Sequence, residues 1–213
     1  MENIERVLMT ADPSKNAEEI ARLFPELVML KGAPQNKLYH QEDVWSHVMM
    51  CIDVASEVKD SSTNPLGFMI GTLLHDIGKP ATARKKTVIF QDKEYEITMN
   101  PGHAAAGELI AKAICKRLGL NKNLTEYVTH FVRWHDVLFD LNGNIGEVKA
   151  FEKIRKANEL GCLQDYILFN RRVDSPAKIP GPKAQLVPIV RGWELIKSAP
   201  LDDSIKAKCL EYK

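Results

Sequence analysis

The chain has 213 residues, of which 45% are hydrophobic and 27% charged, and its formal net charge is +1. That length and apolar content suffice for one buried core with short extensions. The near-neutral balance excludes a protein that holds long nucleic acid by charge alone, and it favours a small phosphorylated ligand or a nucleic-acid end. No apolar run is long enough to cross a membrane, and the opening "MENIERVLMTADPSKNAEE" lacks a secretory signal, so a cytoplasmic location is expected. Cys51, Cys115, Cys162 and Cys209 form no CxxC pair and read as reduced thiols.

Helical periodicity dominates and predicts an all-α helical bundle carrying one short β-hairpin. In chain order, helices are expected at about 16–24, 43–59 and 66–77. Next, "TVIFQDKEYEIT" at 87–98 sets two β-prone runs around a polar "QDKE" and reads as the hairpin. Further helices follow at about 103–118, 123–135, 147–159 and 163–173. The prolines of "SPAKIPGPK" then interrupt helical structure ahead of a final pair at about 185–198 and 202–211.

The helical phases single out polar residues on apolar faces. His47 lies at the edge of the stripe formed by Val44, Val48, Cys51, Ile52, Ala55 and Val58. His135 continues the stripe of Leu124, Tyr127, Val128, Phe131 and Val132, whereas His130 falls about 120° away. The face of Leu163, Tyr166, Ile167 and Asn170 reaches Asp174, where burial demands a partner or a metal. His103 follows Pro-Gly at a helix start, where the helix field favours the neutral imidazole that a metal requires. His75 and Asp76 occupy the last turn of "GFMIGTLLHDIG", with Gly78 as C-cap and Pro80 blocking continuation.

Each of these residues alone has an ordinary reading, as a hydrogen-bonded core histidine, a cap or a surface carboxylate. Together, four histidines and two aspartates in an apolar helical pattern are better explained by divalent metal, which takes imidazole and carboxylate ligands.

The order His47, His75-Asp76, Asp174 resembles the HD superfamily of metal-dependent phosphohydrolases, and His103 and His135 match the additional histidines of its two-metal members. The stretches "PELVMLKGAPQNKLYHQEDVWSHV", "LLHDIGKP", "PGHAAAGELIAKAICKRLGL" and "RWHD" are similar to the C-terminal HD domain of bacterial CCA-adding tRNA nucleotidyltransferases. The resemblance covers roughly 24–180 and implies an N-terminal extension over 1–24, an HD domain over 25–180 and a C-terminal helical extension over 181–213. Too little chain precedes it for a nucleotidyltransferase domain, so a stand-alone hydrolase is expected. Two features depart from the related domains: "RRVDSPAK" lacks the small residue they tend to carry before the aspartate, and the hairpin is longer.

The expected site is thus one or two divalent ions (Mn, Fe, Ni, Co, Mg or Zn) on His47, His75, Asp76, His103, His135 and Asp174. Asp76 is expected to bridge them, since a carboxylate has two donor oxygens and an imidazole binds through one nitrogen. Such a site activates water for attack on phosphorus without a nucleophilic side chain. Lys79 would contact phosphate as a flexible point charge, its alternative being a solvated lysine at a helix C-terminus. Arg133, Arg172 and His40 are further substrate-binding candidates, and Asp136 is a candidate orienter of a ligand histidine. Arg84, Lys85 and Lys86 read as a solvated run, with a phosphate-binding surface as the alternative. The resemblance implies hydrolysis of a nucleotide or RNA 3′-end phosphate ester, of the 2′,3′-cyclic phosphodiesterase or phosphatase type. The alternatives are a 5′-nucleotidase or dNTP hydrolase, or a non-catalytic module that binds a nucleotide or tRNA.

Overall fold

The computed structural model describes residues 1–183 and 190–213. Helices α1 (Glu2–Leu8), α2 (Ala17–Leu23), α3 (Val44–Val58), α4 (Pro65–Leu74) and α5 (Lys79–Thr82) precede the hairpin β1 (Arg84–Phe90) and β2 (Lys93–Met99). After it come α6 (His103–Arg117), α7 (Lys122–Trp134), α8 (Val137–Asn142), α9 (Glu147–Ala157), α10 (Leu163–Leu168), α11 (Val190–Ser198) and α12 (Asp203–Leu210). The fold is all-α with one antiparallel hairpin, as the periodicity predicts. Part of the helix expected from 185 lies outside the described residues.

Local chemistry starts the site-bearing helices. Asp43 accepts a hydrogen bond from Ser46 N at 2.8 Å to cap α3, Asn64 accepts from Gly67 N at 2.9 Å to cap α4, and Asn121 accepts from Leu124 N at 2.9 Å to cap α7. Each cap satisfies an orphan N–H of the first turn. Helix α1 escapes the periodicity because it is short and starts at Met1 without a side-chain cap. Burial of Ile4, Val7 and Leu8 holds it instead.

One hydrophobic core takes in Ile4, Leu8 and Ile20 near the start, Phe68, Phe131 and Phe169 at the centre, and Trp193, Ile196 and Cys209 near the end. The segments flanking the expected HD region therefore pack into the same body. Glycines set the closest approaches. A Cβ on Gly67 would lie 2.5 Å from the Tyr127 ring, and one on Gly71 2.6 Å from the Phe131 ring, so α4 sits directly against the aromatic face of α7. Phe131 then meets Phe68 and Phe169 edge-on, with centroids 5.6 and 5.2 Å apart.

Gly78 serves a purpose other than the expected C-cap. Its backbone is right-handed (φ −83°, ψ −10°), so no left-handed cap forms. Instead a Cβ there would lie 2.1 Å from the carbonyl oxygen of His103, on backbone that cannot yield. The turn after α4 presses onto the start of α6, and this brings Asp76 beside His103.

Residues 163–173 depart from a single α-helix. The α-helical turns end at Leu168, and Phe169–Asp174 is a π-helix, with Ser175 N bonding Asn170 O at 3.2 Å. Buried Asn170 donates to His135 O and accepts from Leu138 N at 3.3 Å, tying this segment to the turn between α7 and α8. Beyond it, 179–183 lies beside 38–41 around one antiparallel bridge between His40 and Pro180: Gln41 N bonds Ile179 O, Gly181 N bonds Tyr39 O, and Lys183 N bonds Leu38 O.

The hairpin pairs Arg84 with Met99 through Phe90 with Lys93, three residues longer at its start than the expected 87–98 and one longer at its end. Gln91 and Asp92 turn it with φ of 51° and 59°, the two positive values that a two-residue turn of this hand requires.

Replacing Gly78 with alanine should cost about 1–3 kcal/mol through overpacking and lower the thermal midpoint by about 2–4 °C per kcal/mol. Gly146→Ala, with open space around its Cβ, should stay within about 1 kcal/mol of the parent. Calorimetric scans of the two variants side by side measure the difference.

Candidate metal centre

The expected metal ligands converge around Asp76. Its Oδ1 lies 3.5 Å from His103 Nε2 and 3.9 Å from His135 Nε2. Its Oδ2 lies 3.1 Å from His75 Nε2 and 3.9 Å from His47 Nε2. Asp174 joins through Oδ1, 3.0 Å from His47 Nε2. Four helices and the π-helical segment thus deliver their polar side chains to one carboxylate, and all six expected ligands are brought together.

Every imidazole of the cluster is locked in the same way. The Nδ1–H of His75 donates to Thr72 O at 2.7 Å, that of His103 to Asn100 O at 3.0 Å, and that of His135 to Val132 O at 2.8 Å. His47 Nδ1 donates to Ala177 O at 2.9 Å. A carbonyl can only accept, so these bonds place the proton on Nδ1 and leave the Nε2 lone pair facing inward. This is the tautomer and orientation of a metal-ligating histidine held by its outer partner.

Two observations show that the donors fit a cation. His103 Nε2 and His135 Nε2 lie 3.1 Å apart, and with both protons on Nδ1 they present two lone pairs to each other. That contact requires a proton or a cation. Moreover, His75 Nε2 is buried with no hydrogen-bond partner of acceptable geometry, although Asp76 Oδ2 lies 3.1 Å away. Orphaned buried donors and acceptors of this kind are rare and costly. Among the described residues, potential ligand atoms fall into three groups: Asp76 with His103 and His135, His47 with Cys51, His75 and Asp174, and His40 with Glu42 and His47.

The electrostatics follow from burial and charge. Burial alone would raise the Asp76 carboxyl, but the surrounding imidazoles and the Lys79 charge outweigh it and hold the group well below the usual carboxylate range. Burial also opposes ionisation of Asp174, and His47, whose Nε2 donates to Oδ1 when the ring is charged, reverses the balance, again to well below that range. Burial lowers the pKa of His135, keeping the ring neutral as ligation requires. His103 departs from expectation: burial disfavours its charge, but the Asp136 carboxylate at 3.2 Å and Asp76 beyond it raise its pKa above the ordinary value. These nearby carboxylates outweigh the field at the start of α6.

A cavity of about 590 Å³ opens onto the cluster. His75, Asp76, His103, His135 and Asp174 form its floor, with Tyr39, His40, Phe139, Arg171 and Lys178 among the walls. His47 is fully buried behind the floor. Lys79 also lines the cavity, where its Nζ is 2.7 Å from both Asp76 Oδ2 and Gln35 Oε1. In this arrangement it neutralises the central carboxylate. Asp136, with Oδ2 at 3.2 and 3.5 Å from the Nε2 atoms of His103 and His135, stands beside the ligands on the cavity side, away from their Nδ1 atoms.

The other substrate-binding candidates separate. His40 lines the cavity, its Nδ1 2.9 Å from Oε1 of buried Glu42. Arg133 and Arg172 do not line it. Arg133 lies over the Trp134 ring at 4.8 Å and 3.5 Å from Glu108, and Arg172 is exposed. Arg171 stands on the wall instead, its guanidinium bonded to Tyr212 O and Lys213 O at 3.3 Å. His130, as its phase predicts, is elsewhere, between Tyr166 Oη at 2.5 Å and Lys156 O at 3.1 Å. Glu42, Cys51, Arg171 and Lys178 escaped the sequence reading. Glu42 and Lys178 lie outside the periodic helices, whereas helical phase, which puts Arg171 about 60° from Asp174 and Arg172 on the far side, could have identified Arg171.

A buried cluster of imidazoles around an Asp that follows a His, at the end of one helix of an all-α body, is the arrangement of the HD class. The HD domain family model matches residues 44–164, more than half of the chain, and the chain belongs to that family, a superfamily of metal-dependent phosphohydrolases. It is 31% identical over 122 residues to the Multifunctional CCA protein of Halorhodospira halophila, covering 57% of this chain and 26% of that protein. Identity to the Multifunctional CCA protein of Cupriavidus metallidurans is 33% over 141 residues, 63% of this chain and 31% of the relative. To that of Ralstonia nicotianae it is 28% over 158 residues, 71% and 32%. The chain thus spans about a quarter to a third of the length of these curated relatives. No helix among the described residues is long and apolar enough to cross a membrane.

Asp76→Ala should lower divalent-metal affinity by at least about a hundredfold, since even outer partners of metal ligands carry effects of 10–100-fold. His130→Ala should retain the metal. Elemental analysis after dialysis, with helical circular dichroism as the folding control, distinguishes the two outcomes.

Proposed function

We propose that this protein hydrolyses a phosphate ester on a nucleotide or at an RNA 3′ end, as a 2′,3′-cyclic phosphodiesterase or phosphatase. The observation that carries the reading is the facing pair of His103 and His135 Nε2 atoms, 3.1 Å apart beside Asp76 on the floor of an open cavity. Asp76, His103 and His135 would hold one divalent ion, and His47, His75 and Asp174 a second, with the two oxygens of Asp76 facing the two sets. A metal bound there supplies an acidified water and neutralises phosphoryl charge.

The chain's own residues supply binding and orientation. The Nδ1-to-carbonyl bonds fix the imidazoles before substrate arrives, so no reorganisation is needed as charge develops. Lys79, Arg171 and Lys178 give the cavity three cations for an anionic substrate. His40, with Nδ1 engaged by Glu42, has Nε2 left for a substrate oxygen. Phe139 and Tyr39 offer aromatic surface for a base or ribose. The cavity has the size of an ordinary small-ligand site, which suits one nucleotide. In the cyclic diester, water adds at phosphorus, one ester P–O bond breaks, and the water proton ends on the released ribose oxygen.

Similarity to Multifunctional CCA proteins favours an RNA-end substrate over a free deoxynucleotide. Purified protein supplied in turn with Mn, Fe, Ni, Co, Mg and Zn should open 2′,3′-cyclic mononucleotides and release phosphate from 2′- or 3′-monophosphates. Preferential turnover of 5′-monophosphates or dNTPs would shift the substrate class. Inactivity with every ion and substrate would remove the hydrolase reading.

A further inference from the structure

The hairpin presents two chemically different faces. Cross-strand pairing puts Arg84, Lys86, Val88 and Phe90 on one face with Met99, Ile97, Tyr95 and Lys93. The opposite face holds Lys85, Thr87 and Ile89 with Thr98, Glu96 and Glu94, and there Lys85 pairs with Glu96 at 2.9 Å. The first face therefore contains three cations and no carboxylate. None of Arg84, Lys86 and Lys93 has an ion-pair partner among the described residues. The Phe90 and Tyr95 rings lie between these charges, with centroids 6.4 Å apart.

This face continues into the cavity. Lys183 Nζ lies 6.0 Å from the Phe90 ring centroid and 5.8 Å from that of Tyr39, which is itself a cavity wall. Asn100, just after β2, donates to Lys79 O at 2.8 Å, so the base of the hairpin is anchored at the cluster.

We infer that the Phe90–Tyr95 face of the hairpin binds the nucleotides upstream of an RNA 3′ end whose terminal phosphate enters the cavity. Bases stack on the faces of such half-buried aromatic rings while lysine and arginine track the backbone, the general physics of single-strand binding. A cation face without carboxylates suits a phosphodiester backbone, and the Phe90 and Tyr95 rings among the cations suit bases, which an acidic peptide lacks. The inference rests on the proposed RNA-end reading and names the polymer, beyond one nucleotide, as its substrate.

The test is fluorescence anisotropy with a 5′-labelled single-stranded RNA of about eight nucleotides bearing a 3′-hydroxyl, so that binding is read without turnover. The parent should bind it at least about tenfold more tightly than a labelled mononucleotide, as one or two stacked bases require. Joint Lys86→Glu and Lys93→Glu substitution should remove that advantage. The slope of log affinity against log salt should flatten by about 0.7 per lost phosphate contact. Lys86→Gln with Lys93→Gln, a milder pair, should flatten the slope similarly while keeping the helical circular dichroism of the parent. Tyr95→Ala should weaken the RNA by about fivefold or more, and Tyr95→Phe should restore it.

Equal affinity for RNA and mononucleotide, an unchanged salt slope in both lysine pairs, or equal binding of an RNA duplex would overturn the inference. Hairpin-dependent RNA binding by a protein that hydrolyses nothing would uphold the surface and remove the hydrolase reading. Turnover of mononucleotides without preferential RNA binding would do the reverse.

Discussion

Four imidazoles place their Nε2 atoms within 3.9 Å of the two oxygens of Asp76, and the rest of the structure is arranged to make that crowding possible. So many lone pairs cannot share a buried volume without positive charge among them. The Nδ1-to-carbonyl bonds prevent the rings from turning away. Lys79 supplies one positive charge at 2.7 Å, and the orphaned Nε2 of His75 marks where further cation density belongs.

The apolar packing serves this electrostatic demand. Gly67 and Gly71 let α4 close on Tyr127 and Phe131 of α7, which fixes the ends of both helices, where His75 and His135 lie. Gly78 lets the following turn touch α6 and delivers His103 to the same place. Asn170, inside the π-helical segment, ties the turn at His135 to the strand of chain that carries Asp174. Asn170 and Asp174, four residues apart, share one face of this segment and are both buried.

The cavity wall has a different origin. The chain at 179–183 lies along 38–41, and this pairing assembles Tyr39, His40 and Lys178. Glu42 clasps it by accepting from Ile179 N at 2.9 Å while holding His40. Its carboxyl is held well below the usual range: burial opposes ionisation, but hydrogen bonds from His40, His47 and backbone N–H groups prevail. One buried carboxylate thus links the wall to the metal cluster.

Helical phase in the sequence was enough to bring out His47, His135 and Asp174, and helix-end chemistry was enough for His75, Asp76 and His103, because burial and capping act over a few residues. Those local rules also separated His130 from the cluster. Only the tertiary structure decided that Lys178 lines the cavity, because non-helical chain carries no phase. It also revealed that Gly78 is needed for contact with His103, and that Glu42 holds the wall together. Each of these depends on groups distant in sequence meeting within a few ångströms, and periodicity along a single helix contains no term for such meetings.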